Sequence, residues 1–400
     1  MGHKTLYFGL FCIFLAYYIY IPIPEGIEEP WKVQLLDASM KMISLTAMLL
    51  ENMGIITYEE FYLTISSVLL TRPESDRNLT VLDMDFGGVP VRLYMPTGAA
   101  ERRRPAVVFL HGGAFVMGSC KLEAYNFLNR MVANRLDAVV VGVDYRLAPQ
   151  YHFPVPLEDC ISAVKFFLQD EILRQYGVDP ARVCISGDSS GGALAAQVVQ
   201  ALKNDPEFKD KIKAQALIYP GLQLFDTLMP SHMENEYGPI LPRKVLIKLG
   251  CLYVTRDPAL PQAMWRNQHM PQEHKHLLKF VNWSAFLPEK YKKSHVYTEP
   301  MTGIFNASYL HLVAHTSPLV ANDSELQTLP RTYVLTCEHD VLRDDGLIYV
   351  TRLQNAGVNV THDHVEDGFH GALAFINSPF HLNLGHRVKD KYISWLEENL

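Results

Sequence analysis

The feature that most constrains the fold is a series of short apolar runs separated by helical segments. They are AVVFL (Ala106 to Leu110), DAVVVGVDY (Asp137 to Tyr145), RVCIS (Arg182 to Ser186), AQALIYP (Ala214 to Pro220), RTYVLTC (Arg331 to Cys337) and VNVTHDHVE (Val358 to Glu366). Runs of this kind, each followed by a covering helix, predict an α/β fold with a mostly parallel central sheet flanked by helices. Ahead of them, LTVLDMDFGGVPVRLYMP (Leu79 to Pro96) alternates about a glycine pair, which predicts two antiparallel strands and a tight turn. The interval from about Gly221 to Pro330 is too long for a connection and carries helical patterns of its own, so it is expected to be an inserted cap.

Composition agrees with one large α/β domain carrying insertions, or with two ordinary domains: the 400 residues are 48% hydrophobic and 20% charged. A net charge of −7 gives no support to nucleic-acid binding, and the basic run ERRRP (Glu101 to Pro105) reads as solvated loop. The six cysteines are too few for a disulfide scaffold and show neither CxxC pairs nor zinc spacing, so no metal site is expected.

From Leu6 to Ile23 the chain runs eighteen residues without a charge, about enough to cross a bilayer as a helix. Lys4 precedes this run, while Glu25, Glu28 and Glu29 follow it, so the positive-inside bias leaves the N-terminus in the cytosol. YYIYIPIP offers only bulky residues where a signal peptidase needs small ones, so an uncleaved signal anchor is expected. If the segment were cleaved, the protein would be secreted. The organisation read from the chain is therefore a cytosolic N-terminus (1–4), a signal-anchor helix (5–24), a helical segment contributing to a cap (25–75), and a catalytic domain (76–400) with an insertion at about 221–330. Sequons at Asn78, Asn282, Asn306, Asn322 and Asn359 permit a lumenal chain, with Asn78 and Asn282 the preferred glycosylation candidates.

The chemistry is carried by GDSSGG, directly after RVCIS. Gly187, Ser189 and Gly191 satisfy G-x-S-x-G between a strand and a small-residue helix, which places Ser189 at the apex of a strained turn. A serine attacking an ester needs donors for the developing oxyanion. The Ser190 N–H supplies one, and the segment His111, Gly112 and Gly113, just after AVVFL, is placed to supply others. Its bare glycines would let the amides face the site, with His111 fixing the loop. Serine also needs a base and an orienting carboxylate, in the chain order Ser, Asp or Glu, His. His370, in the glycine-flanked loop EDGFHGAL after the last strand, is the expected base, and Asp340, directly after RTYVLTC, the expected carboxylate. Asp344 and Asp345 compete for that role but lie a turn further on, where capping or solvating a helix start suits them. His362 and His364 alternate along a strand and read as structural or surface residues. Asp188 is expected to point away from the nucleophile and to pack locally.

HGGAF, VDYRLAPQYHFP, SGDSSGG, FVNWS, HDVLRDDG and EDGFHGA, together with EEPW after the N-terminal run, cover nearly the whole length in order. This resembles the hormone-sensitive lipase branch of α/β hydrolases, and within it arylacetamide deacetylase and its like proteins. The resemblance implies an α/β-hydrolase fold and Ser189, Asp340 and His370 as a triad, with residues 111–113 as the oxyanion segment. It implies an endoplasmic reticulum type II membrane enzyme that hydrolyses carboxylic esters or arylacetamides of small apolar substrates and needs no cofactor. The chain departs from that pattern twice. Ala114 replaces the family's third glycine, and Val116 stands where relatives carry a cysteine thought to pair with the match of Cys337, leaving Cys120 as a possible substitute. A second class, a non-catalytic ligand-binding protein on the same scaffold, would usually lack a triad member, and this chain retains all three.

Overall fold

The computed structural model describes residues 22–305, 307–377 and 381–400, with Tyr7, Gly9 and Tyr20. Most of the segment read as a signal anchor, Cys12 and the sequon at Asn306 lie outside these residues.

Eight strands form one sheet in the order β1-β2-β4-β3-β5-β6-β7-β8. β1 (Leu79–Phe86) and β2 (Val89–Pro96) make the antiparallel hairpin, with Leu79 opposite Pro96 and Phe86 opposite Val89. β2 pairs antiparallel with β4 (Val139–Val143). β3 (Arg104–Leu110), β5 (Val178–Asp188), β6 (Ala214–Ile218), β7 (Arg331–His339) and β8 (Val360–Phe369) continue in parallel. β4 is shorter than its apolar run because Asp137, at φ 49°, ends the preceding helix in the left-handed region. Asn359 sits just before β8, and its carbonyl accepts from the Thr332 amide.

The central strands are apolar on both faces because both are covered. In β3, Val107 and Phe109 face a core shared with α3 (Glu123–Leu136) and the C-terminal α8 (Asn383–Asn399). Ala106, Val108 and Leu110 face the opposite core, with α4 (Val155–Phe167), α5 (Ser190–Lys203) and α7 (Arg343–Asn355). α5 lies deep because its first turns are small. A Cβ on Gly191 would stand 2.1 Å from the Leu110 carbonyl oxygen, and one on Gly192 2.9 Å from Pro220.

Residues 221–330 run between β6 and β7 as a set of short helices, of which α6 (Arg243–Val254) is the longest among the described residues. Near the N-terminus, α1 (Pro30–Asn52) and α2 (Tyr58–Ser67) form a hairpin, and a Thr57–Glu60 capping box starts α2. A third core joins these pieces: Ala47, Tyr58 and Tyr62 pack with Val116, Phe153, Leu249 and Tyr253.

One open pairing is decided and one expectation needs correction. Cys120 and Cys337 are free and buried. Cys120 lies against Gly142 of β4 and Cys337 against Gly368 of β8. With β4 and β7 four strand spacings apart, roughly 19 Å, no bridge can form between them. Asp344 and Asp345 neither cap nor solvate the start of α7, whose N-cap is Leu342 without a side-chain bond. Both are fully buried. Asp344 accepts from the Ser231 amide at 2.7 Å, and Asp345 from the Leu222 amide at 2.8 Å and Gln223 Nε2 at 3.0 Å. They tie the insertion to the core.

Candidate active site

Ligands in open parallel sheets sit beyond the C-terminal ends of the strands, and three of those ends deliver the expected residues here. Ser189 follows β5, Asp340 follows β7 and His370 follows β8. Ser189 has φ 54° and ψ −122°, a conformation that costs a non-glycine residue of order 1–3 kcal/mol. The turn is held from both sides: the Ser189 amide donates to the Ile218 carbonyl at 2.9 Å, and the Ala193 amide to the Ser189 carbonyl at 3.2 Å. A Cβ on Gly187 would meet the Gly191 carbonyl oxygen at 2.3 Å, and one on Gly191 would meet those of Leu110 and His111. The G-x-S-x-G glycines are thus a packing requirement of the elbow.

The turn projects the Ser189 hydroxyl onto His370, with Oγ 2.8 Å from Nε2. On the other side of the ring, Nδ1 lies 2.9 Å from Asp340 Oδ2. Asp340 is itself fixed, because its Oδ1 accepts from the Leu342 amide at 2.7 Å. The Tyr219 ring meets the imidazole edge-on at 5.0 Å between centroids, which limits its tilt. His370 and Asp340 are buried. The neighbouring histidines are engaged elsewhere: His362 and His364 both contact Thr336 Oγ1 at 2.8 Å, and His364 Nε2 also contacts Glu338 at 2.8 Å.

The loop after β3 differs from the expectation in one respect. The Gly112 amide does not face Ser189. It donates to Asp188 Oδ1 at 2.8 Å and to the Tyr125 hydroxyl at 2.9 Å. The bare backbone is required by these neighbours: a Cβ on Gly112 would stand 2.7 Å from Asp188 Oδ2, and one on Gly113, at φ +120°, 2.0 Å from the Met117 carbonyl oxygen. Among the described residues, the amides of Gly113, Ala114 and Ser190 have no hydrogen-bond acceptor, and neither do those of Gly191 and Gly192 in the first turn of α5. Ala114, absent from the expected donor set, keeps a left-handed φ of 55° without being glycine. Its neighbour Phe115, at φ 63°, is held by a hydrogen bond that its amide donates to Ser190 Oγ at 3.2 Å and by stacking on Tyr253. His111 is fully buried, stacks on Tyr145 with centroids 4.3 Å apart, and contacts the Gly112 carbonyl through Nδ1 at 2.8 Å. Burial lowers its pKa below the ordinary imidazole value, which favours a neutral ring.

Asp188 points away from the Ser189 hydroxyl and organises the loop. Besides Gly112, it accepts from the Tyr125 hydroxyl at 3.2 Å. Burial pushes its carboxyl up to about 6, against the hydrogen bonds from Tyr125 and Gly112 that favour the charged form. Sequence reasoning missed this connection because residues 112 and 188 meet only across β3 and β5. Beside Ser189 lies a hollow of about 50 Å³, lined by Ala114, Phe115, Leu224, Leu246, Tyr253 and Leu342 among others. It is mostly apolar and small, whereas sites holding drug-sized ligands typically span roughly 300–1,000 Å³. Among the described residues, no group of three or more His, Cys, Asp or Glu side chains is placed to hold a metal ion.

Comparison with known proteins agrees with the fold. A family model described as an alpha/beta hydrolase fold matches residues 107–270 and 268–374. Over their full lengths, the chain is 58% identical to human (Homo sapiens) arylacetamide deacetylase-like 2, and 46% identical to arylacetamide deacetylase of Oryctolagus cuniculus. Among solved structures, a hyperthermophilic esterase from Pyrobaculum calidifontis superposes with a TM-score of 0.62 at 25% identity, covering 94% of this chain and 99% of the esterase.

Proposed function

Because the chain belongs to the arylacetamide deacetylase group of α/β-hydrolase serine esterases, we propose that Ser189, His370 and Asp340 are its catalytic triad. On this reading Ser189 Oγ attacks the carbonyl carbon of an ester or arylacetamide while His370 Nε2 takes the hydroxyl proton. Asp340 holds the ring so that Nδ1 keeps its proton, and it stabilises the imidazolium that forms. The tetrahedral oxyanion is met by the amides of Gly113, Ala114 and Ser190, each such donor contributing about 3–4 kcal/mol to transition-state stabilisation. The imidazolium returns its proton to the leaving alcohol or amine. Water, activated by the same imidazole, then releases the acid from the acyl-enzyme.

The observation that carries this reading is the relay itself, 2.8 Å from Ser189 to His370 and 2.9 Å from His370 to Asp340. The apolar lining of the hollow supports an apolar substrate. Since its volume is near that of one or two waters, residues 221–330 and the α1–α2 hairpin act as a cap that opens to admit it. The uncharged run from Leu6 to Ile23 behind Lys4 supports a single-pass type II protein of the endoplasmic reticulum membrane with its catalytic domain lumenal.

Hydrolysis of a short-chain aryl acetate by the membrane-reconstituted full chain tests the mechanism. Ser189→Ala is expected to lower kcat by about 10⁴-fold or more while the fold is retained. Equal rates for the two forms would dismiss the triad.

A further inference from the structure

Helix α1 is apolar on two opposite sides, and among the described residues only one of them is packed. Its inner side is packed: Val33, Leu36, Asp37 and Ala47 are buried, with Asp37 accepting from the Ile240 amide at 3.0 Å and pairing with Lys41 at 2.8 Å. On the other side, Trp31, Leu35, Met42, Leu49 and Met53 are 67%, 49%, 39%, 55% and 70% exposed. At 3.6 residues per turn these five fall within an arc of about 40°. Ala38 and Leu45 complete the stripe, which carries no charge from end to end. Ile55, just past the helix, is 62% exposed and continues it. Single exposed apolar residues are ordinary, but an aligned row along a 23-residue helix, about 34 Å long, marks an interaction surface.

We propose that this stripe lies in the headgroup–acyl boundary of the membrane that the N-terminal segment enters, with α1 parallel to the bilayer plane. The inference rests on reading residues 5–24 as a membrane anchor. From Ile23 to Pro30 the chain spans at most about 25 Å, so α1 begins close to the bilayer. The link is also fastened to the body: Glu29 accepts from the Asn383 amide at 2.8 Å and Glu28 from Asn383 Nδ2 at 3.0 Å. Although α1 is long and apolar enough to cross a membrane, crossing would strip its inner side, including Asp37, from the domain. A helix with one face on protein and an uncharged face outward lies flat instead. Trp31, at the end nearest the anchor, suits the interface, where an indole keeps its N–H hydrated. Through Ala47, Tyr58 and Tyr62 the hairpin packs on Leu249 and Tyr253 of α6, and Tyr253 lines the hollow beside Ser189. The docked face therefore sets the site next to substrates dissolved in the bilayer.

The full chain in phosphatidylcholine vesicles, with and without bromine-labelled acyl chains, provides the test. Brominated lipid is expected to quench a share of the tryptophan emission that disappears in Trp31→Phe, since of the other three tryptophans Trp283 and Trp395 are buried and Trp265 is half-buried under the Arg243 guanidinium. The combined variant Leu35→Glu, Met42→Glu, Leu49→Glu and Met53→Glu keeps the anchor and the triad. It is expected to hydrolyse a long-chain ester dissolved in the vesicles about tenfold or more slowly than wild type, with its rate on a water-soluble aryl acetate unchanged. Quenching that is the same in wild type and Trp31→Phe would overturn the proposal. So would self-cross-linking of Leu35→Cys without quenching, which would assign the stripe to a second copy. Should the four-residue variant lose activity on both substrates, the quenching result decides. Extraction of the wild type by alkaline carbonate reports the anchor separately: release would refute the anchor while leaving the fate of the stripe to the quenching.

Discussion

Asp188 is a buried carboxyl beside Ser189 that holds a loop of the proposed active site without facing the hollow. Its carboxylate fixes the Gly112 amide and the Tyr125 hydroxyl, and on the proposed mechanism this positions the next two amides, Gly113 and Ala114, as oxyanion donors. Misplacing a donor by an ångström costs about 10²-fold, so Asp188→Ala is expected to lower kcat on an aryl acetate by about that factor, with KM changed little. The linkage sign follows from a folded pKa of about 6 against an ordinary 3.8. A raised carboxyl contributes most to stability below pH 3.8, and that contribution is lost as pH rises through about 6. At neutral pH the buried charge costs on the order of 3 kcal/mol. Asp188→Asn removes this dependence. Unfolding midpoints of wild type and Asp188→Asn, measured from pH 7 to pH 4, should therefore shift in favour of wild type as the solution is acidified. Parallel curves would contradict the assignment.

Among the elements, the β5–α5 elbow is held by close backbone contacts. Each strand supplies one face of the pocket of backbone into which α5 begins, and only the absence of side chains lets helix and strand approach. In Gly191→Ala the new methyl would stand 2.1 Å and 2.5 Å from the carbonyl oxygens of Leu110 and His111, backbone atoms with no freedom to yield. The start of α5 must then shift, at a cost of about 3 kcal/mol, visible as a lowered unfolding midpoint together with lost activity. A variant as stable as wild type would mean that the elbow is looser than its geometry. The elements also show where sequence reading stopped. The apolar runs marked the parallel strands because burial on both faces leaves no alternation to confuse them. The glycine pair after β3 was legible as a special backbone site, but its partners, Asp188 and Met117, were not. The stripe on α1 shares its periodicity with the inner face, so only the packing of Val33, Leu36 and Ala47 revealed which side was unpartnered.

For the molecule as a whole, topology and glycosylation are linked. Asn78 is exposed in the turn before β1. Asn282 is half-buried, and its Oδ1 accepts from the Ser284 amide and hydroxyl as a helix cap. If the catalytic domain faces the lumen, Asn78 is the sequon of the two that carries glycan. The expected result is a mobility shift on glycosidase treatment that Asn78→Gln abolishes and Asn282→Gln does not. A chain without any such shift would place the domain on the cytosolic side or leave the sequon unread.

Taken alone, the order of residues determined the strand succession, the elbow serine, and which aspartate and histidine follow which strand, because these depend on local periodicity and on position relative to strand ends. Only the tertiary structure decided that the Gly112 amide belongs to Asp188, that Ala114 adopts a left-handed backbone beside Ser189, that Cys120 and Cys337 lie strands apart, and that one side of α1 has no partner among the described residues. Each of those facts is a contact, or a missing contact, between segments tens to hundreds of residues apart. Such distances are set by how the sheet stacks its strands, and no local pattern encodes them.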